Sequence, residues 1–185
     1  VFWRLHDLLE QSFLLHQQGH ALGARILLRS GFETLATLIY LNQLKANVMS
    51  GVLNFHKFGD KTSRLLLGSR NDTTKHKSIN IVTVLDTCEK RYPGLMALYA
   101  DLCEAAHPSY EGTCFGYSSI DFDNHITVFR NKWVEMYADK HLLSMRFCME
   151  IFEQEYNEVS VSETRRWDMW SEDHDAELVA TKSVA

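Results

Sequence analysis

Apolar residues along this chain recur mostly at intervals of three and four, the spacing of one helix face, and give way to partial alternation in a single stretch. Residues 3–18, WRLHDLLEQSFLLHQQ, predict an amphipathic helix whose apolar face is Leu5, Leu8, Leu9, Phe13 and Leu15. Gly19 and Gly23 mark a break or a close crossing, and a second helix is expected over about 20–46, packed antiparallel on the first. Its centre, RILLRSGFETLATLIYL from Arg25 to Leu41, is apolar on almost every side, with Leu28, Phe32, Leu35 and Ile39 on one stripe. Arg25, Arg29 and Glu33 fall on the neighbouring stripe with Ala36 and Tyr40. So apolar a helix is expected inside, where charge is costly unless paired; the stripe therefore predicts an internal ion-pair network or the wall of a polar cavity.

A third helix is expected over 47–67, broken near Gly59, and then a polar loop over 68–78. Residues 79–91 predict a helix, with the β-branched start INIVTV leaving a strand open. After the break at Tyr92-Pro93-Gly94, a helix over 95–107 is expected to stop before Pro108. Alternation enters at 109–130, which predicts a long loop or a small β-hairpin centred on Asp123-Asn124. Residues 131–157 return to helix, with a broad apolar surface that includes Trp133, Tyr137, Leu142 and Leu143. The fold expected is all-α: a single-domain antiparallel bundle of five to six helices over 1–157. An acidic tail over 158–185 follows, docked on the body or on a partner through Trp167, Met169 and Trp170, with its last residues loose.

Composition changes this picture little. The chain has 185 residues, 45% hydrophobic and 23% charged, enough for one real core. No apolar run reaches the roughly 18 residues of a membrane span, and VFWRLHDLLE lacks the basic leader and apolar core of a signal peptide. Cys88, Cys103, Cys114 and Cys148 form no C-x-x-C pair and are expected as reduced thiols in a cytoplasmic protein. The net charge of -5 is unevenly spread: residues 1–91 hold 12 Lys+Arg against 7 Asp+Glu, and residues 92–185 hold 7 against 17. The basic excess concentrates in 57–77, which permits an anionic partner such as RNA.

Three constellations carry candidate chemistry. Arg29 and Glu33, at i, i+4, are within reach of one another as a buried pair or as a pocket wall binding an anion. Glu104 and His107, at i, i+3, have the spacing that di-metal bundles use, with Glu10, Glu33 and Glu135 as further carboxylates; His16 and His20 form a second helical pair. Arg70 and His76 bracket a polar spacer, as in metal-independent RNases where His moves the proton and Arg stabilises phosphorane charge. No Gly-rich phosphate loop, G-x-S-x-G or H-E-x-x-H occurs, and no cofactor or bound metal is expected. His107 ends an otherwise apolar helix. Arg29 and Glu33 are therefore expected to be largely buried, in contact, and within reach of that imidazole.

LLRSGFETLATLIYL, followed some seventy residues later by LYADLCEAAHPS, resembles a mostly bacterial all-helical family. That family carries an R-S-x-x-E helix and a later E-x-x-H-P helix end, and is distantly similar to the HEPN superfamily. The resemblance covers roughly residues 20–110 and implies Arg29, Glu33 and His107 as pattern positions. HEPN proteins include RNase toxins, antiphage proteins and nucleotide-binding modules. The function expected is a dimerising or partner-binding HEPN-like module. The alternatives are a metal-independent RNase or RNA-binding protein of stress or phage defence, using Arg70, His76 and His107, and a di-metal bundle enzyme. Arg25, Arg29, Glu33, Glu104 and His107 are the expected polar network.

Overall fold

The computed structural model describes residues 1–181, and these are mostly helical. The helices are α1 (Phe2–Gln17), α2 (Ala21–Met49), α3 (Phe55–Leu66), α4 (Ile81–Glu89), α5 (Leu95–Ala106), α6 (Trp133–Glu153) and α7 (Ser160–Thr181). A π-helical turn, Tyr110–Phe115, precedes the two-stranded antiparallel sheet of β1 (Ser118–Asp121) and β2 (Ile126–Phe129). A second π-helical turn, Gln154–Val159, joins α6 to α7. None of the described helices is long and apolar enough to cross a membrane.

The helix count among the described residues is seven rather than the expected five to six, and the extra helix is the acidic tail. Its residues are mostly good helix formers, and its apolar stripe is one side chain wide: Trp167, Trp170, His174, Leu178. That stripe is too sparse to stand out against the charges around it. The third helix also differs from expectation. Gly59 lies inside α3, and the chain breaks earlier, at Gly51 with φ +75°, before Asn54 caps the new helix by accepting from the His56 and Lys57 N–H groups. Residues 81–89 are helical, not a strand.

The chain divides into two compact units. The first comprises Val1–Leu35 and Tyr92–Glu150, the second Ala36–Arg91 and Ile151 onward. In the first, Ala21, Ala105, Trp133 and Tyr137 form a buried apolar cluster with Leu22, Tyr117 and Met136 packed against it. Gly116 makes this possible, because a Cβ there would sit 2.7 Å from the Trp133 indole nitrogen.

In the second unit, Phe55 and Phe58 meet the tail: Phe58 lies 4.7 Å from the Trp167 ring and Phe55 lies 6.2 Å from that of Trp170. The tail tryptophans are thus half-buried on α3; residues 182–185, the expected loose end, lie outside the described residues. The second π-helical turn aims Glu155 inward. Its carboxylate is fully buried, accepting from Arg91 Nε at 2.8 Å and from Asn42 Nδ2 at 2.7 Å. Burial first, and then this carboxylate, push the neighbouring Cys88 thiol up to about 12.

Candidate functional site

The charged stripe of α2 meets α5. Arg29 Nη2 lies 3.0 Å from Glu33 Oε1, as the i, i+4 spacing requires. Tyr99 stands between them: its hydroxyl accepts from Arg29 Nη2 at 2.9 Å and donates to Glu33 Oε1 at 2.8 Å. Arg29 Nε donates to Cys103 Sγ at 3.2 Å, one turn further along α5. Burial opposes the Arg29 charge, but the Cys103 hydrogen bond and the Glu33 carboxylate outweigh it and hold the guanidinium above its usual range. Burial, with Glu33 next, also holds the Tyr99 phenol up. The pair is only partly buried, with side chains 25% and 26% exposed. Every group here already has a partner within the unit, so the arrangement ties α2 to α5.

Arg25 is the deeper charge, at 1% exposure. Its Nη2 donates to the Asp101 backbone oxygen and to Asp101 Oδ2, both at 2.8 Å. Its guanidinium carbon lies 3.9 Å from the centroid of the Tyr137 ring, a cation–π contact. Nε and Nη1 have no hydrogen-bond partner.

Nearby electrostatically is His141, fully buried on α6 and stacked on His16 with ring centroids 5.0 Å apart. The Ser12 hydroxyl donates to Ala24 O at 2.7 Å, which leaves its oxygen to accept from His141 Nε2 at 3.2 Å. The proton is therefore assigned to Nε2, and Nδ1 stays a bare acceptor without a partner. Burial, then the charges of His16 and Arg25, lower the His141 pKa to about 4.

The other expected residues stand apart from this network. His107 is the exposed C-cap of α5, and Glu104 is exposed one turn earlier. The ring that α5 brings to Arg29 and Glu33 is that of Tyr99, two turns before His107, because Tyr99 and Cys103 lie on the α2-facing side of α5. Arg70 is exposed and His76 half-buried in the second unit, on a loop closed by the Ser69 N–H on the His76 oxygen at 2.9 Å. Among the described residues, one group of three metal-ligating side chains converges: His6, Asp7 and Glu10, all exposed on one turn of α1. Glu104 and His107 belong to no such group, and neither do His16 and His20.

Tyr99, Asp101 and Cys103 were absent from the expected network, yet the spacing of Tyr99 and Cys103 is that of one helix face and was legible. Ser12 and His141 lie 129 residues apart and carry no local signal. Comparison with protein families, with curated proteins and with solved structures finds no match for this chain.

Proposed function

We propose that the chain is a non-enzymatic helical interaction module, HEPN-like in its antiparallel bundle, that assembles with a second copy of itself through the β1–β2 hairpin. The carrying observation is that this hairpin is apolar and exposed on both faces. Cross-strand register puts Ile120 and Phe129 on one face and Ile126 and Val128 on the other, all exposed, with Phe129 at 82%. Phe122, in the connecting turn, is 77% exposed. Monomeric proteins seldom leave such a cluster in water.

Backbone geometry supports the same reading. A lone two-stranded hairpin is marginal in water, and both of its outer edges offer unpaired N–H and C=O groups. Pairing one edge with the same edge of a second copy makes a four-stranded sheet by a two-fold operation, which meets the usual requirement for a stable sheet. The resemblance carried by Arg29, Glu33 and the Glu104–Pro108 segment is consistent with such a module.

Sedimentation equilibrium on the parent and on the double variant Phe122→Ser, Phe129→Ser tests this. The expected outcome is a dimeric parent and a monomeric variant that keeps its helical signal, since both side chains are exposed. A parent that stays monomeric at about 100 μM, well above typical dimer Kd values, removes the reading.

A second reading, metal-independent RNA cleavage, draws on the closed loop over 69–77. Arg70 and His76 flank its mouth, beside Lys75 and Lys77. Labelled RNA incubated in EDTA is the assay. Cleavage that persists unchanged in Arg70→Ala, His76→Ala and His107→Ala variants removes those side chains from any mechanism.

A further inference from the structure

The phase of the β1–β2 ladder decides which backbone groups are free. Ser118 pairs with Phe129 and Ser119 with Val128 in antiparallel register. One position further out, the Arg130 N–H donates to the Tyr117 oxygen at 2.9 Å, which makes Tyr117 and Arg130 a hydrogen-bonded pair. Such pairs alternate with non-hydrogen-bonded ones, so Ser119–Val128 and Asp121–Ile126 turn their backbone groups inward. Thr127 and Phe129 on β2, and Ser118 and Ile120 on β1, therefore aim N–H and C=O groups away from the hairpin.

The two edges are not equivalent. Ile126–Phe129 is exposed at every residue and carries none of the charges or prolines that usually guard an edge. In contrast, β1 is half-buried at Ser118 and Ser119, Ser118 Oγ donates to the Cys114 oxygen of the π-helical turn at 2.8 Å, and the strand ends in the charged Asp121. The free edge is that of β2. Its neighbours also limit the register. With a two-fold axis at Thr127, extending the ladder beyond one pair needs His125, which holds φ +55° and is not extended. With the axis at Phe129 it needs Asn131, whose side chain is committed to α6, accepting from the Trp133 N–H at 3.0 Å. An axis at Val128 needs only Thr127 and Phe129, the two residues whose groups face outward.

We propose that self-association of this chain, the reading on which this inference rests, joins the β2 edges of two copies about a two-fold axis through Val128. Thr127 of each copy exchanges N–H···O bonds with Phe129 of the other, and the two Val128 side chains meet across the axis. Ile126 and Val128 of both copies then form one apolar strip on one face of the four-stranded sheet. On the other face Phe129 lies beside Thr127 of the second copy. This register sets the two Val128 Cα atoms about 4.5 Å apart, within the range of a disulfide. The two Thr127 Cα atoms, offset by two residues, stand roughly 8 Å apart and outside it.

Oxidation of Val128→Cys, Thr127→Cys and Ser119→Cys variants tests the edge and the register together. Each is made in a Cys114→Ser background, which removes the exposed native thiol and is itself the baseline. Sedimentation equilibrium on the reduced proteins runs alongside. The expected outcome is a disulfide-linked dimer from Val128→Cys on a non-reducing gel, with Thr127→Cys and Ser119→Cys at the baseline. Cross-linking through Thr127→Cys or Ser119→Cys in preference to Val128→Cys overturns the inference. So does a protein that sediments as a dimer yet cross-links through none of the three; in both cases self-association itself stands. A parent that is monomeric at about 100 μM removes the inference and the self-association reading together.

Discussion

Arg29 and Glu33 contact each other directly and also share the phenol of Tyr99, whose hydroxyl bonds to both. Tyr99→Phe keeps the ring and leaves Arg29 Nη2 and Glu33 Oε1 each short of one hydrogen bond. It should cost about 1–2 kcal/mol in urea unfolding, whereas Lys57→Gln should cost less than about 0.5 kcal/mol. A Tyr99→Phe variant as stable as the parent would separate the pair from the fold. His141 adds a pH dependence whose sign follows from its neutral, buried ring. Its pKa falls from 6.5 in the unfolded chain to about 4 in the folded one. Between those values the unfolded state binds the extra proton, so this contribution is complete above about pH 6.5 and is lost on acidification towards pH 4. From pH 7 to pH 5 the parent should lose about 2 kcal/mol, and His141→Leu should flatten that slope. An unchanged slope would mean that the ring titrates freely. The sequence made the Arg29–Glu33 contact legible because helix periodicity fixes it within one segment. It pointed to His107 as the third member because imidazole suits a carboxylate, but which face of α5 turns toward α2 depends on packing that spacing alone does not encode.

Among the elements, boundaries were legible where an apolar face is broad and a breaker follows. Helices α1 and α5 end within a residue or two of their expected limits, at Gly19 and before Pro108. The α2–α3 boundary was misplaced because Gly59 and Gly51 look alike in a string of letters. Only Gly51 adopts a left-handed conformation, and the Asn54 side chain supplies the acceptor that restarts the helix. Asn54→Ala should therefore cost about 1 kcal/mol in thermal melts, with the loss confined to α3 by hydrogen exchange. A neutral result would shift the start of α3 to some other determinant. The hairpin was legible from its alternation and its Asp-Asn centre. The Asp121 carboxylate does close that turn, accepting from the N–H groups of Asp123 and Asn124 at 3.1 Å each. The widened turn before it left no trace in periodicity, since six residues are too few to define a period.

At the scale of the molecule, the acidic tail belongs to the second unit through Trp167 and Trp170. Trp167→Ala removes the stacking on Phe55 and the tilted ring contact with Phe58 and should lower stability by about 2 kcal/mol in denaturant titration, with faster amide exchange along α3. Exchange along α3 that matches the parent would mean that the tail merely lies over it. The division of the chain carries a further consequence, for synthesis on the ribosome. The first unit needs Tyr92–Glu150 to join Val1–Leu35, and the second needs Ile151 onward to join Ala36–Arg91. At roughly 5–20 residues per second, residues 1–91 emerge several seconds before the segments that complete their units. During that interval Phe32, Leu35 and Ile39 have only part of their final surroundings. Neither unit can therefore close until the residues beyond 91 have been made, and a chain cut near residue 91 has neither unit complete.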